Sequence, residues 1–111
     1  IEQIRTGKNI EVSGNGEQTR DFIYIDDVTG ALVLVNSIKD KFIILNLCSG
    51  EETSINKLIR LISDRLHKKP EVTYERLPGD GGFWKGDNSK ARRKLGWVPE
   101  IILKKGLEKI L

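Results

Sequence analysis

Between Phe42 and Leu47 the chain reads Phe-Ile-Ile-Leu-Asn-Leu, an almost unbroken apolar run. Such a run predicts a strand covered on both faces, the pattern of a parallel sheet, and a strand of that kind needs neighbours and covering helices. The expected architecture is therefore α/β: a small mixed sheet in which Phe42 to Leu47 runs parallel to at least one neighbour, with helices packed against it. Upstream, Val28, Ala31, Leu32 and Val35 fall at i, i+3, i+4 and i+7, so one face of a helix is to be buried, with Asp26 and Asp27 placed to cap it. Downstream, Cys48-Ser49-Gly50 makes a tight exit. Thr53 or Ser54 then caps a second helix carrying Ile55, Leu58, Ile59, Ile62 and Leu66 on one stripe.

The remaining elements are shorter. Ile10 to Val12 alternates like a strand until Ser13-Gly14-Asn15-Gly16 breaks it, and Phe22 to Ile25 resumes as a β-rich run. Pro70 closes the long helical unit, Val72 to Glu75 reads as a short strand, and Leu77 to Gly82 as a loop. Asp87 or Ser89 starts a helix with Ala91 and Leu95 that Gly96 stops before Trp97 and Pro99, and Leu103 to Leu111 is a last amphipathic segment. At the start, Ile1 and Ile4 have helical spacing and Gly7 sits where a helix stops, yet no capping residue precedes them. With no methionine anywhere, this start reads as a truncated product whose first helix has lost its beginning.

At 111 residues, 38% hydrophobic and 32% charged, the chain supports one modest core, so residues 1–111 are expected to form a single domain. No apolar run is long enough to cross a membrane, and no secretory leader is expected. The lone Cys48 excludes an internal disulfide framework and, with one histidine, any multi-ligand zinc centre; a cytoplasmic setting suits it. A net charge of +3 gives some attraction for phosphate-bearing ligands. A basic nucleic-acid module would use Lys68, Lys69, Lys85, Lys90, Arg92, Arg93 and Lys94, but these lie on separate elements with no aromatic platform among them, the pattern of a solvated surface.

Several chemistries are excluded by what is missing. His67 stands at a helix end, where the dipole favours a cation, and Cys48 lies beside apolar residues in a packing role. Gly14-Asn15-Gly16-Glu17-Gln18-Thr19 lacks the third glycine of a dinucleotide loop and leads into a strand, so a phosphate would have no helix terminus to sit on. No Walker loop occurs, and neither Tyr24 nor Tyr74 is followed four residues later by lysine.

What remains is Thr19-Arg20-Asp21-Phe22-Ile23-Tyr24-Ile25-Asp26-Asp27-Val28. Arginine supplies a planar fork of donors suited to a diphosphate, and Phe22, two residues on, can contact a ring or sugar from the same side of a strand. The simpler reading pairs Arg20 with Asp21 or Asp26 to fasten the loop. This string resembles the Arg-Asp-Phe-Ile-Tyr-(Val/Ile)-Asp-Asp-Val signature of the extended short-chain dehydrogenase/reductases, the NAD-dependent nucleotide-sugar epimerases and dehydratases. The order continues as that family's does, through Asn46-Leu47-Cys48-Ser49-Gly50, Thr53-Ser54-Ile55, Pro78-Gly79-Asp80, Asp87-Asn88-Ser89-Lys90-Ala91 and Leu95-Gly96-Trp97-Val98-Pro99.

The resemblance implies a carboxyl-terminal, substrate-binding portion of a Rossmann-type enzyme like UDP-glucose 4-epimerase. In it Arg20 binds the diphosphate of a nucleotide sugar with Phe22 beside it, Asp80 holds the ribose, Trp84 contacts the sugar, and Ile55 lies near the base. Arg76 is the second phosphate arginine, although Arg76-Leu77-Pro78-Gly79-Asp80 holds one residue more than the family's spacing; either the loop bulges or Arg76 is displaced. Cys48 stands where the family has glycine, and a side chain there would crowd any residue required at positive φ. The resemblance places the NAD or NADP loop and the Tyr-x-x-x-Lys pair in an amino-terminal Rossmann half outside these residues, so no catalytic residue, cofactor or metal is assigned here. Alone, the chain is expected to be inactive, an interaction or remnant piece, and to self-associate through the Phe42 to Leu47 strand and its apolar face.

Overall fold

The computed structural model describes residues 1–75 and 82–111. Along the chain they form α1 (Glu2–Thr6), β1 (Ile10–Ser13), β2 (Thr19–Arg20), α2 (Ile25–Val35), β3 (Thr53–Ser54), α3 (Ile55–Leu66), β4 (Val72–Glu75), α4 (Ser89–Leu95) and α5 (Leu103–Ile110). No helix among them is long and apolar enough to cross a membrane. The Leu77 to Gly82 loop expected from the sequence lies outside the described residues except for Gly82.

β1 and β4 pair in parallel, with Ile10 opposite Val72 and Ser13 opposite Glu75. Ile10 and Val12 point inward and Glu11 outward, the two-residue period of a half-covered strand. Across them lies α3, whose apolar stripe forms as expected. Ser54 is its N-cap, its hydroxyl accepting from the Lys57 amide at 3.1 Å. Ile62 of α3 joins Ile4, Ile10, Val12 and Leu107 in one buried cluster, with Ile55, Leu58, Ile59 and Leu66 packed around it. Each such side chain contributes roughly 1.5–3 kcal/mol when fully covered. The helix ends at His67, before Pro70, with His67 itself in the left-handed region at φ 52°.

A second buried cluster holds Ala31, Ala91 and Trp97, with Ile23, Leu45, Leu47 and Leu95 against it. The single modest core expected from length is thus divided into two. α2 packs on α4 at Ala31 and Ala91, both fully buried small residues that let the helices approach closely.

Three local expectations are corrected. Phe22 to Ile25 is not a strand: the strand is Thr19–Arg20, and Ile25 already begins α2. Asp26 and Asp27 do not cap α2; Tyr24 is the N-cap, and both carboxylates sit in the first turn, where the helix dipole favours negative charge. Phe42 to Leu47 forms no named strand and has no ladder partner among the described residues. Leu45 and Leu47 pack inward, while Phe42 is 82% and Ile44 67% exposed. The run is apolar on two sides and only one is covered. The stripe on α2 is likewise half used, since Ala31 is buried but Leu32 and Val35 are exposed.

Candidate ligand-binding site

The turn that Gly14 and Gly16 make possible brings β1 back as β2. Both glycines have positive φ, and a Cβ on Gly16 would collide with Asn56. Asn56 secures the turn, its side-chain amide donating to the Asn15 carbonyl at 3.1 Å and to Glu17 Oε1 at 2.6 Å. The turn leads into β2 and its Gly16 is filled by Asn56, so this glycine stretch does not fit a dinucleotide.

β2 pairs antiparallel with β3, Thr19 opposite Ser54 and Arg20 opposite Thr53. On its other side the chain from Gly82 to Gly86 hangs from three consecutive residues. Thr19 Oγ accepts from the Trp84 amide at 3.1 Å and donates to Glu52 Oε1 at 3.0 Å. Arg20 Nη1 donates to the Gly82 carbonyl at 3.1 Å and to the Thr19 carbonyl at 2.8 Å. The Gly86 amide donates to Asp21 Oδ2 at 3.1 Å. Phe83 and Trp84 are left 72% and 65% exposed. A Cβ on Gly82 would stand 2.6 Å from the Trp84 indole nitrogen, so the ring lies close over this glycine.

Asp21 is the hub of this arrangement. Besides Gly86, its carboxylate accepts from the Ser49 amide at 2.8 Å, the Ser49 hydroxyl at 2.5 Å and the Gly50 amide at 2.9 Å. Burial works against ionisation here, but the hydrogen bonds from Ser49, Gly86 and Gly50 outweigh it and hold the carboxyl below the usual aspartate range. Asp21 is held by these loop donors, and Asp26 lies 3.8 Å from Lys109.

Next to this hub, Ser49, Gly50, Glu51, Lys85, Gly86, Asp87, Asn88 and Arg92 line a polar groove of about 480 Å³. Asn88 is buried at its floor, donating to the Cys48 carbonyl at 2.8 Å and accepting from Arg92 Nε at 2.9 Å. Cys48 takes the packing role expected of it: burial and the neighbouring Asp21 charge push its thiol pKa up, away from thiolate chemistry. The left-handed residue of this turn is Gly50, at φ 80°. The Cys48 side chain finds room because position 86 is glycine; a Cβ on Gly86 would collide with it.

Of the six residues singled out from the sequence, the structure brings Arg20 and the Trp84 segment together. Phe22 is half-buried on another side, bordering a cleft with Ser49, Glu51, Thr53 and Pro99 and a larger apolar groove with Leu58, Leu103 and Ile110. Ile55 opens α3 and is packed against the first cluster, its amide donating to the Gln18 carbonyl at 3.2 Å. Arg76 and Asp80 lie outside the described residues. Sequence reasoning missed Thr19, Asp21, Ser49 and Gly86; only the adjacency of Asp21 to Arg20 hinted at them.

This small α/β unit is of the kind found in nucleotide-sugar enzymes. The family model for GDP-mannose 4,6 dehydratase matches residues 1–110, and the chain belongs to that family. Among curated relatives, the UDP-glucuronate 4-epimerase of Thermodesulfobacterium geofontis is 35% identical over 98% of this chain and 34% of its own length. Among solved structures, UDP-glucose 4-epimerase from Thermotoga maritima with UDP-glucose superposes with a TM-score of 0.88 at 32% identity, over 96% of this chain and 35% of that one. UDP-glucuronic acid 4-epimerase from Bacillus cereus, in complex with UDP-glucuronic acid and NAD, gives a TM-score of 0.83 at 30% identity, over 96% and 35%. The chain thus spans about a third of the length of these relatives, and the resemblance to extended short-chain dehydrogenase/reductases is borne out.

Proposed function

We propose that these residues form the substrate-binding portion of an NAD(P)-dependent nucleotide-sugar epimerase or dehydratase, gripping the diphosphate and sugar of a UDP-type ligand while the oxidation chemistry resides elsewhere in a longer protein. The observation that carries this reading is the suspension of the segment bearing the exposed Phe83–Trp84 pair from Thr19 and Arg20: the Trp84 amide bonds Thr19 Oγ, and the Arg20 guanidinium bonds the Gly82 carbonyl of the same segment. A guanidinium suits a diphosphate and an aromatic face suits a sugar or base ring. The ligands named with the Thermotoga and Bacillus structures, UDP-glucose and UDP-glucuronic acid, support the same class.

The exposed apolar residues Leu32, Val33, Phe42 and Ile44 support a second part of the proposal: this face packs on a Rossmann half that carries the NAD or NADP. Without it the chain self-associates and has no turnover of its own. Of the basic residues expected on separate elements, Lys90, Arg92, Arg93 and Lys94 share α4, but Lys94 is paired to Asp40 at 3.0 Å and Arg92 is bonded to Asn88, which favours the nucleotide-sugar reading over nucleic acid.

Titration of the chain with UDP, followed by calorimetry, tests the reading. Saturable binding that Arg20→Ala weakens by about tenfold or more, and Arg20→Lys by less, is expected, because lysine lacks the bidentate fork. Binding that is absent, or indifferent to Arg20, refutes it.

A further inference from the structure

We infer that Asp21, a residue that needs no contact with ligand, is the positioning residue of this site: its carboxylate fixes where the Gly82 to Gly86 segment, and with it Trp84, stands relative to Arg20. The inference deepens the proposed function and rests on it for the identity of the ligand.

The argument is geometric. Asp21 follows Arg20 directly, and Gly86 follows Trp84 by two residues, so the Gly86–Asp21 bond closes a short bracket around the pair. The other bonds to Asp21 come from Ser49 and Gly50, and Asn88 bonds the Cys48 carbonyl, so the 48–50 turn backs the 86–88 segment from behind. Three backbone amides and one hydroxyl converge on one carboxylate. A carboxylate is acceptor-only, with lone pairs enough for all four donors. The close approach depends on glycine: a Cβ at position 86 would meet Asp21 Oδ2 at 3.2 Å and overlap Cys48. Remove the charge and, among the described residues, the Gly82 to Trp84 end of the segment keeps its bonds to Thr19 and Arg20, which makes the arginine a structural tether as well.

Asp21→Asn tests this in the full chain, since the amide is nearly isosteric but turns one acceptor into a donor facing either the Gly50 and Gly86 amides or the Ser49 amide and hydroxyl, and leaves the other pair on a weaker, uncharged acceptor. Two readouts are taken: hydrogen exchange at the Trp84 and Gly86 amides, with Ile62 in α3 as the internal reference, and calorimetric binding of UDP. The expected result is exchange about tenfold faster at Trp84 and Gly86, no change at Ile62, and UDP affinity lower by about tenfold. Unchanged exchange at Trp84 and Gly86, or an equal rise at Ile62, overturns the inference, the latter because it marks a general loss of stability. Ser49→Ala, which removes the hydroxyl donor and leaves the amides, serves where Asp21→Asn does not fold. A rise of about threefold confined to the same amides supports positioning, and no rise overturns it. A wild-type chain that fails to bind UDP sinks the proposed function, while the exchange comparison still decides whether Asp21 holds the segment.

Discussion

Trp97 donates its indole N–H to the backbone carbonyl of Asp27 at 2.9 Å, across 70 residues of sequence. The Asp27 side chain returns the connection, its carboxylate oxygens accepting from the Glu100 amide at 3.0 Å and the Ile101 amide at 3.1 Å. Two adjacent acids therefore do different things: Asp26 is exposed near Lys109, and Asp27, 8% exposed, staples the carboxyl-terminal segment to α2. Asp27→Ala leaves two amides without acceptors and is expected to lower stability by about 2 kcal/mol, whereas Asp26→Ala costs under about 0.5 kcal/mol. Urea denaturation midpoints of the two variants check the contrast; equal midpoints would refute the staple.

The contact between Cys48 and Gly86 predicts a rescue. Gly86→Ala alone pushes a methyl into Cys48 and is expected to destabilise the fold by roughly 1–3 kcal/mol, the usual cost of overpacking. Adding Cys48→Gly removes the obstructing sulfur and recovers much of that loss. Thermal melts of the single and double variants give the coupling directly, and a purely additive double variant would sink the idea.

Acid titration should separate Asp21 from other carboxylates. Its folded pKa lies below its unfolded one, because hydrogen bonds from Ser49, Gly86 and Gly50 outweigh the opposing effect of burial. Its contribution to stability is therefore complete above the unfolded value and is lost as the pH falls through the folded value. The Gly86 amide resonance should titrate with a midpoint below the ordinary aspartate value, and the step should vanish in Asp21→Asn. A midpoint above that value contradicts the hydrogen-bonded hub.

The apolar residues left open on α2 and at 42–44 predict concentration-dependent association of the isolated chain. Light scattering over a tenfold range of concentration should show a rising mass, and Phe42→Ser with Ile44→Thr should suppress the rise. Constant monomeric mass in the wild type would overturn this part of the proposal.

How much of this was legible in the sequence depended on whether the information was local. α3 was, since its stripe and the Ser54 cap fall within one stretch, and so were the stops at Gly7 and Gly96, both left-handed as a helix C-terminus favours. β1 and β4 could be drawn as strands, but nothing local says that Ile10 faces Val72. Phe22 to Ile25 looked like a strand because aromatic and β-branched residues alternate there. Its residues are instead committed elsewhere: Ile23 to the second cluster, Tyr24 to the cap of α2 and to Gly106, where a Cβ would stand 2.9 Å from its ring. Phe42 to Leu47 was misread for another reason: an apolar run reports how many faces want covering, and within the described residues only one is covered. At the site, Arg20 and Trp84 were nameable from motif order, whereas Asp21 acts through donors 28 to 65 positions away, which no window of sequence reveals.

The separation between Asp21 and Gly86 also bears on how the chain is made. Thr19, Arg20 and Asp21 are synthesised 62 to 65 residues ahead of the segment they hold. Closing so long a loop is entropically unfavourable until many contacts form together. On the ribosome, then, Thr19, Arg20 and Asp21 wait with these partners unmade until Gly86 clears the exit tunnel, and the proposed binding surface assembles in a single event rather than growing with the nascent chain.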